Sequence, residues 1–148
     1  MRHIWSLLCS RSVTDKVSNN VSLFEVLEEI HLPPGVAEKK GGSTEVIVPM
    51  PADWVTLWAR SKKEKPETVL VKDTILSPSG KILGEREYSV NLQENSRSRA
   101  IRRIPVPPSD KSGVYRFRTQ VKDEEQKSWR RVSEIPLEVI ADKPSNKR

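Results

Sequence analysis

What a chain can do chemically is limited first by which reactive side chains it owns, and this one has two histidines and one cysteine among 148 residues. His3 and His31 stand at no metal-binding spacing from each other or from Cys9. His3 is placed at the start of a first strand and His31 at the end of a second, without a ligand or general-base role. Cys9 follows Trp5, Leu7 and Leu8, an apolar setting that raises a thiol's pKa and makes it a small core filler. Gly41 and Gly42 lack the following Lys-Ser/Thr of a phosphate loop and read as a flexible connection. The acidic runs Glu28 Glu29 and Asp123 Glu124 Glu125 have no second cluster at a diagnostic distance, so they read as solvated surface. No cofactor, no metal and no enzyme are expected. An enzyme would need a pocket between sheets, lined by Trp54, Trp58 and scattered carboxylates, and nothing in the sequence favours one.

Trp54 and Trp58 are four apart, so in a strand they share a face with Thr56. On the inner face they are core, which is the reading adopted; on the outer face they would be a stacking surface. The charge is more informative. The chain carries 26 Lys+Arg against 20 Asp+Glu, a formal +6. Residues 1–96 hold 12 basic and 13 acidic side chains, residues 97–131 hold 11 and 4, and residues 132–148 hold 3 and 3. The whole excess therefore lies in 35 residues, and eight of those eleven cations are arginine, the side chain suited to bidentate carboxylate or phosphate contacts. Arg97, Arg99, Arg102, Arg103, Arg116, Arg118, Arg130 and Arg131 are the candidate binding residues. Their expected partner is an acidic protein surface. The alternative is nucleic acid or another polyanion, with Trp129 or Tyr88 for stacking. An ordinary solvated sheet face, with edge cations that discourage aggregation, is the plain competitor.

The elements that must position these residues are short apolar segments divided by turn residues. Ile4–Cys9 reads as a buried strand, Val46–Val48 as a brief strand or an extended lead-in, and Trp54–Ala59 as a further strand. Thr68–Leu76 and Ile82–Leu92 flank Ser77 Pro78 Ser79 Gly80, a hairpin turn. Arg99–Val106 ends at Pro107 Pro108, which cannot donate to a ladder. Tyr115, Phe117, Thr119 and Val121 alternate with Arg116, Arg118, Gln120 and Lys122, the mark of a half-buried strand. After a polar turn at residues 123–126, Trp129–Ile140 returns with Ile135, Leu137 and Val139 on one face. The stretch Ser22–Ile30 is ambiguous: Ser22 and Glu25 have capping-box spacing, and Leu23, Leu27 and Ile30 form a helical stripe, whereas the surrounding strands argue for a strand. No repeat appears, one domain over residues 1–142 is expected, and residues 143–148 read as a polar tail.

Leu7 Leu8 Cys9, Val13, Asp15 and the run Val21–Ile30, with the Ser77–Lys81 hairpin, Gly113 Val114 Tyr115 Arg116 Phe117 and Ile135 Pro136 Leu137 Glu138 Val139, resemble a family of small uncharacterised bacterial cytosolic proteins, a domain of unknown function. The resemblance covers nearly the whole chain. It implies an all-β fold, a single immunoglobulin-like sandwich of about seven to eight mostly antiparallel strands, and it tips Ser22–Ile30 toward strand. It brings no activity and no functional residue. The lone cysteine agrees with a reducing cytoplasm. The opening apolar run is shorter than a signal peptide's core, and no run approaches the length of a membrane span.

Overall fold

The structure, a computed structural model, describes residues 1–32, 49–109, 111–122 and 127–141. These residues form nine strands and no helix: β1 (Arg2–Thr14), β2 (Val21–Val26), β3 (Glu29–Leu32), β4 (Met50–Ala59), β5 (Glu67–Leu76), β6 (Ile82–Leu92), β7 (Arg97–Val106), β8 (Gly113–Lys122) and β9 (Trp129–Ala141). They make two sheets, one ordered β2-β1-β4-β7 and the other β3-β9-β8-β5-β6. Every pairing is antiparallel except that of β3 with β9. The all-β expectation holds. The count of seven to eight strands falls short because Val21–Leu32 folds as two strands, one in each sheet. The expected strand at Val46–Val48, the turn at 123–126, the Gly41 Gly42 connection and the tail lie outside the described residues.

The ambiguous Ser22–Ile30 stretch is thus extended, and its helical features have a local explanation. Glu25 takes a left-handed conformation, with φ 51°, which breaks any helix at the position its capping box would use. Leu27 then donates its N–H to Leu8 O in one sheet, and Glu138 N–H donates to Glu28 O in the other. The chain crosses between sheets over those two residues, so Leu27 and Ile30 pack on the core without sharing a helical face.

Alternation sets the interior. Trp54 and Trp58 on β4 are 1% and 0% exposed, so the core reading of the tryptophan pair is the observed one. Trp54 meets Phe117 of the opposite sheet edge to face, with centroids 5.4 Å apart. Tyr115, Phe117, Thr119 and Val121 are all buried, and the arginines between them point out. Tyr115 donates its hydroxyl to Lys111 O at 2.6 Å and pairs with Ser109 Oγ, which ties the β7–β8 connection to the core. Tyr115→Phe is expected to cost about 1 kcal/mol, the net value of one such bond, read as a fall in the urea midpoint at unchanged slope.

The core is not continuous. One cluster gathers Leu8, Trp54, Ile75, Ile104, Phe117 and Leu137 with their neighbours, and a second gathers Trp58, Val71, Val90, Leu92 and Val121. On each central strand the residue between the two clusters is polar: Thr56 on β4, Asp73 on β5, Thr119 on β8. A polar belt crosses the sandwich at that level.

Candidate functional site

The eight arginines do not share one surface. Arg97, Arg99, Arg102 and Arg103 are on β7, the edge of the four-stranded sheet, whereas Arg116, Arg118, Arg130 and Arg131 are on β8 and β9 in the five-stranded one. On β8 and β9, Arg118 Nε donates to Glu134 Oε2 at 2.8 Å, and Arg131 reaches the same oxygen at 3.4 Å. Arg118 and Arg131 are thus brought close together, with a carboxylate between them. The Arg118 hydrogen bond holds Glu134 below the usual carboxylate range against some desolvation, helped by the charges of Arg118, Arg131 and Arg116. Arg116 reaches toward the turn at Gly80. Arg130 lines a shallow concavity beside Glu67 and Val121. Trp129 is covered by the ammonium groups of Lys72 and Lys122, 4.5 and 5.9 Å from its ring centre, and Lys72 also pairs with Glu87 at 2.9 Å. This face is close to electrically balanced.

The other sheet is different. Arg103 Nε pairs with Asp53 at 3.1 Å. Asp53 is a buried carboxylate on the outer side of β4, and it also accepts from Ser12 N and Ser12 Oγ at 2.8 and 2.7 Å. Desolvation pushes its pKa up, but Ser12 and Arg103 outweigh that and leave it lowered. Arg99 donates to Asn19 O at 2.8 Å and contacts Thr14, so it is braced by the β1–β2 turn. That turn is held in place by Asp15, whose Oδ1 accepts from Val17 N, Ser18 N and Ser18 Oγ. Between the turn and β7 lies an open groove of about 820 Å³ whose walls include Trp5, Leu57, Ile101, Arg97 and Arg99. Among the described residues no carboxylate pairs with Arg97 or Arg99.

Arg102 stands apart from its neighbours. Adjacent residues of a strand point to opposite faces, so Arg103 goes to the outer surface and Arg102 goes between the sheets, at the level of the polar belt. There a cavity of about 170 Å³ is lined by Trp54, Thr56, Asp73, Arg86, Tyr88 and Arg102, among others. Asp73 is 3% exposed and accepts from Thr119 Oγ1 at 3.0 Å. Burial raises its pKa to about 6, against the pull of Thr119, Arg102, Tyr88 and Arg86. Tyr88 is near enough to Asp73 and to the Trp58 indole to feel both, and burial and the Asp73 charge raise its pKa, yet its hydroxyl completes no hydrogen bond. The belt continues to the far side through Ser6, which donates to Thr56 Oγ1 at 3.1 Å and meets His3 Nε2 at 2.7 Å. His3 also packs edge-on against Trp58, and burial lowers its pKa.

The reading of the sequence missed Asp73, Arg86 and Arg102 as a group. The signal was present: Val71, Asp73 and Ile75 on β5, Tyr88, Val90 and Leu92 beyond Arg86 on β6, and Ala100, Arg102 and Ile104 on β7 each place a charge in an apolar register. Cys9 is fully buried and desolvation raises its pKa. His31 Nε2 is 3.2 Å from Glu29 on the surface. No group of three or more His, Cys, Asp or Glu able to hold a metal ion occurs among the described residues. Among them, likewise, no helix is long and apolar enough to cross a membrane. Compared with protein-family models and with curated proteins, the chain finds no match.

Proposed function

We propose that this chain is an immunoglobulin-like interaction module of the cytosol, non-enzymatic, that takes up an acidic, extended segment of a protein partner in the groove between the β1–β2 turn and β7. The immunoglobulin-like assignment is supported by the way the chain leaves the β1–β2 hairpin so that β3 pairs in parallel with the last strand, and by Tyr115. That tyrosine lies near the start of the penultimate strand, with its hydroxyl bound to backbone a few residues upstream, as in the tyrosine corner of such sandwiches.

The observation that carries the binding reading is the pairing pattern of the arginines. Arg118 and Arg131 already have a carboxylate and Arg103 has Asp53, whereas Arg97 and Arg99 flank an apolar floor with none. An acidic segment carrying one apolar side chain would meet both kinds of surface, the guanidiniums giving selectivity and on-rate and the floor giving burial. Arg103 is already paired on the groove's own sheet, Arg116 and Arg130 belong to the other sheet, and Arg102, Arg118 and Arg131 are committed elsewhere. For nucleic acid the expected stacking groups are less suited, because Tyr88 lines the interior cavity and Trp129 lies under two lysines.

The test is fluorescence anisotropy with a labelled oligoglutamate peptide that has a central leucine, alongside oligothymidylate. Saturable binding of the peptide is expected, weakened at least about tenfold by Arg97→Glu, a change at an exposed side chain that should leave stability within about 0.5 kcal/mol. Equal binding by the variant, or a preference for the oligonucleotide with a steep salt dependence, would sink the reading.

A further inference from the structure

The polar belt holds more donors than the sandwich uses. Of the buried side-chain atoms without a hydrogen-bond partner, Trp54 Nε1, Tyr88 Oη and Arg102 Nη1 belong to residues that line one and the same cavity. Trp54 is 1% exposed, so its N–H cannot turn to bulk water. A buried donor left unpaired is costly, and three around one space are an arrangement that packing alone would not favour. The acceptor side is also unfinished: Thr119 occupies Oδ1 of Asp73 and leaves Oδ2 for another donor. With Asp73 ionised, Arg86 and Arg102 against that one carboxylate leave a charge of plus one. Beside these groups stand the Trp54 ring and Ala100, which supply an apolar wall.

We propose that this cavity is a binding site for a small hydroxy acid, whose carboxylate is received by the Arg102 guanidinium and the Trp54 indole N–H and whose hydroxyl donates to Asp73 Oδ2. Two arginines facing one carboxylate, with the Arg102 Nη1 donor unpaired, favour a monoanion over a zwitterion or a neutral molecule. The volume, about 170 Å³, is that of about six waters, so the ligand is a short acid of two to four carbons and not a sugar or nucleotide. Arg86 is exposed at the side where the edge strands β6 and β7 face one another, and there it draws anions toward the mouth. This site is on the inner face of β7 and the peptide groove is on its outer face, so neither proposal depends on the other.

The test follows the Trp54 indole N–H resonance, assigned by its loss in Trp54→Phe, during titration with glycolate, acetate, glycolamide and glycine at pH 7. Glycolate is expected to move that resonance saturably, with a dissociation constant near millimolar. Acetate, lacking the hydroxyl, should bind several-fold more weakly, and glycolamide and glycine should leave the resonance in place. Arg102→Met should weaken glycolate at least about tenfold. Should that variant fail to fold, Arg86→Met at the exposed mouth should weaken it about threefold. The proposal is overturned if glycolate does not move the Trp54 resonance, if glycolamide or glycine moves it as much, which would mark a merely hydrated cavity, or if neither arginine substitution changes the affinity.

Discussion

Asp73→Asn is expected to stabilise the protein at neutral pH by about 3 kcal/mol. Burial raises the Asp73 carboxyl from 3.8 to about 6 in the folded chain, about two units at about 1.4 kcal/mol each. A folded pKa above the unfolded one means that the native state holds the proton more tightly. The corresponding stability is complete below about 3.8 and is lost as pH rises through about 6. Asparagine keeps an acceptor for Thr119 and removes the charge. The gain over the parent should therefore be near zero at the acid end of that window and reach its full value above it. Asp15, Asp53, Glu67 and Glu134, whose pKa values are lowered, act in the opposite direction, so the quantity to plot is variant minus parent, from urea unfolding at a series of pH values. A difference that stays flat with pH, or a variant less stable than the parent at neutral pH, would refute the assignment of Asp73 as a strained interior charge.

The second large effect belongs to Trp54. Removing a fully buried tryptophan of this kind costs about 3 to 5 kcal/mol. Trp54→Ala also deletes the edge-to-face contact with Phe117, and it joins the space left to the neighbouring cavity, so the upper part of that range is expected. In a chain of this size that is a fall in Tm on the order of 10 °C. Trp129→Ala is the control. Its ring lies on the surface beneath Lys72 and Lys122, where cation–π contacts are worth about 1 kcal/mol or less. Thermal unfolding of the two variants side by side decides the matter, and comparable losses would contradict the burial pattern on β4.

The contrast between these tryptophans shows what could be read from residues alone. Period-two alternation in Tyr115–Lys122 and the β-branched and aromatic run at Trp54–Ala59 placed their strands and inner faces, because burial on one side forces the pattern. The turn at Ser77–Gly80 was legible for the same local reason, with Gly80 at φ 85°. Ser22–Ile30 was not, since its fate depends on two separate sheets that claim its two halves. The arginines were found as a cluster in sequence and dispersed in space. β7 and β8 are consecutive in the chain but belong to different sheets, so nearness along the chain across Pro107 and Pro108 carried no nearness in the fold. The cavity escaped because a charged residue inside a strand reads as outward-facing unless the register of its apolar neighbours is followed residue by residue.

The crossing at Leu27 and Glu28 gives the two sheets unlike margins. On the β2 and β3 side they are bound like the spine of a book, by continuous backbone hydrogen-bonded into both leaves. On the β6 and β7 side the chain also passes from leaf to leaf, through residues 93–96 at one end, but along the strands no ladder joins the leaves, and they meet as a fore-edge. The cavity sits just inside that fore-edge. The proposed site thus lies where the two sheets are joined by side chains and not by a ladder, so filling it asks nothing of the backbone hydrogen bonds of either sheet.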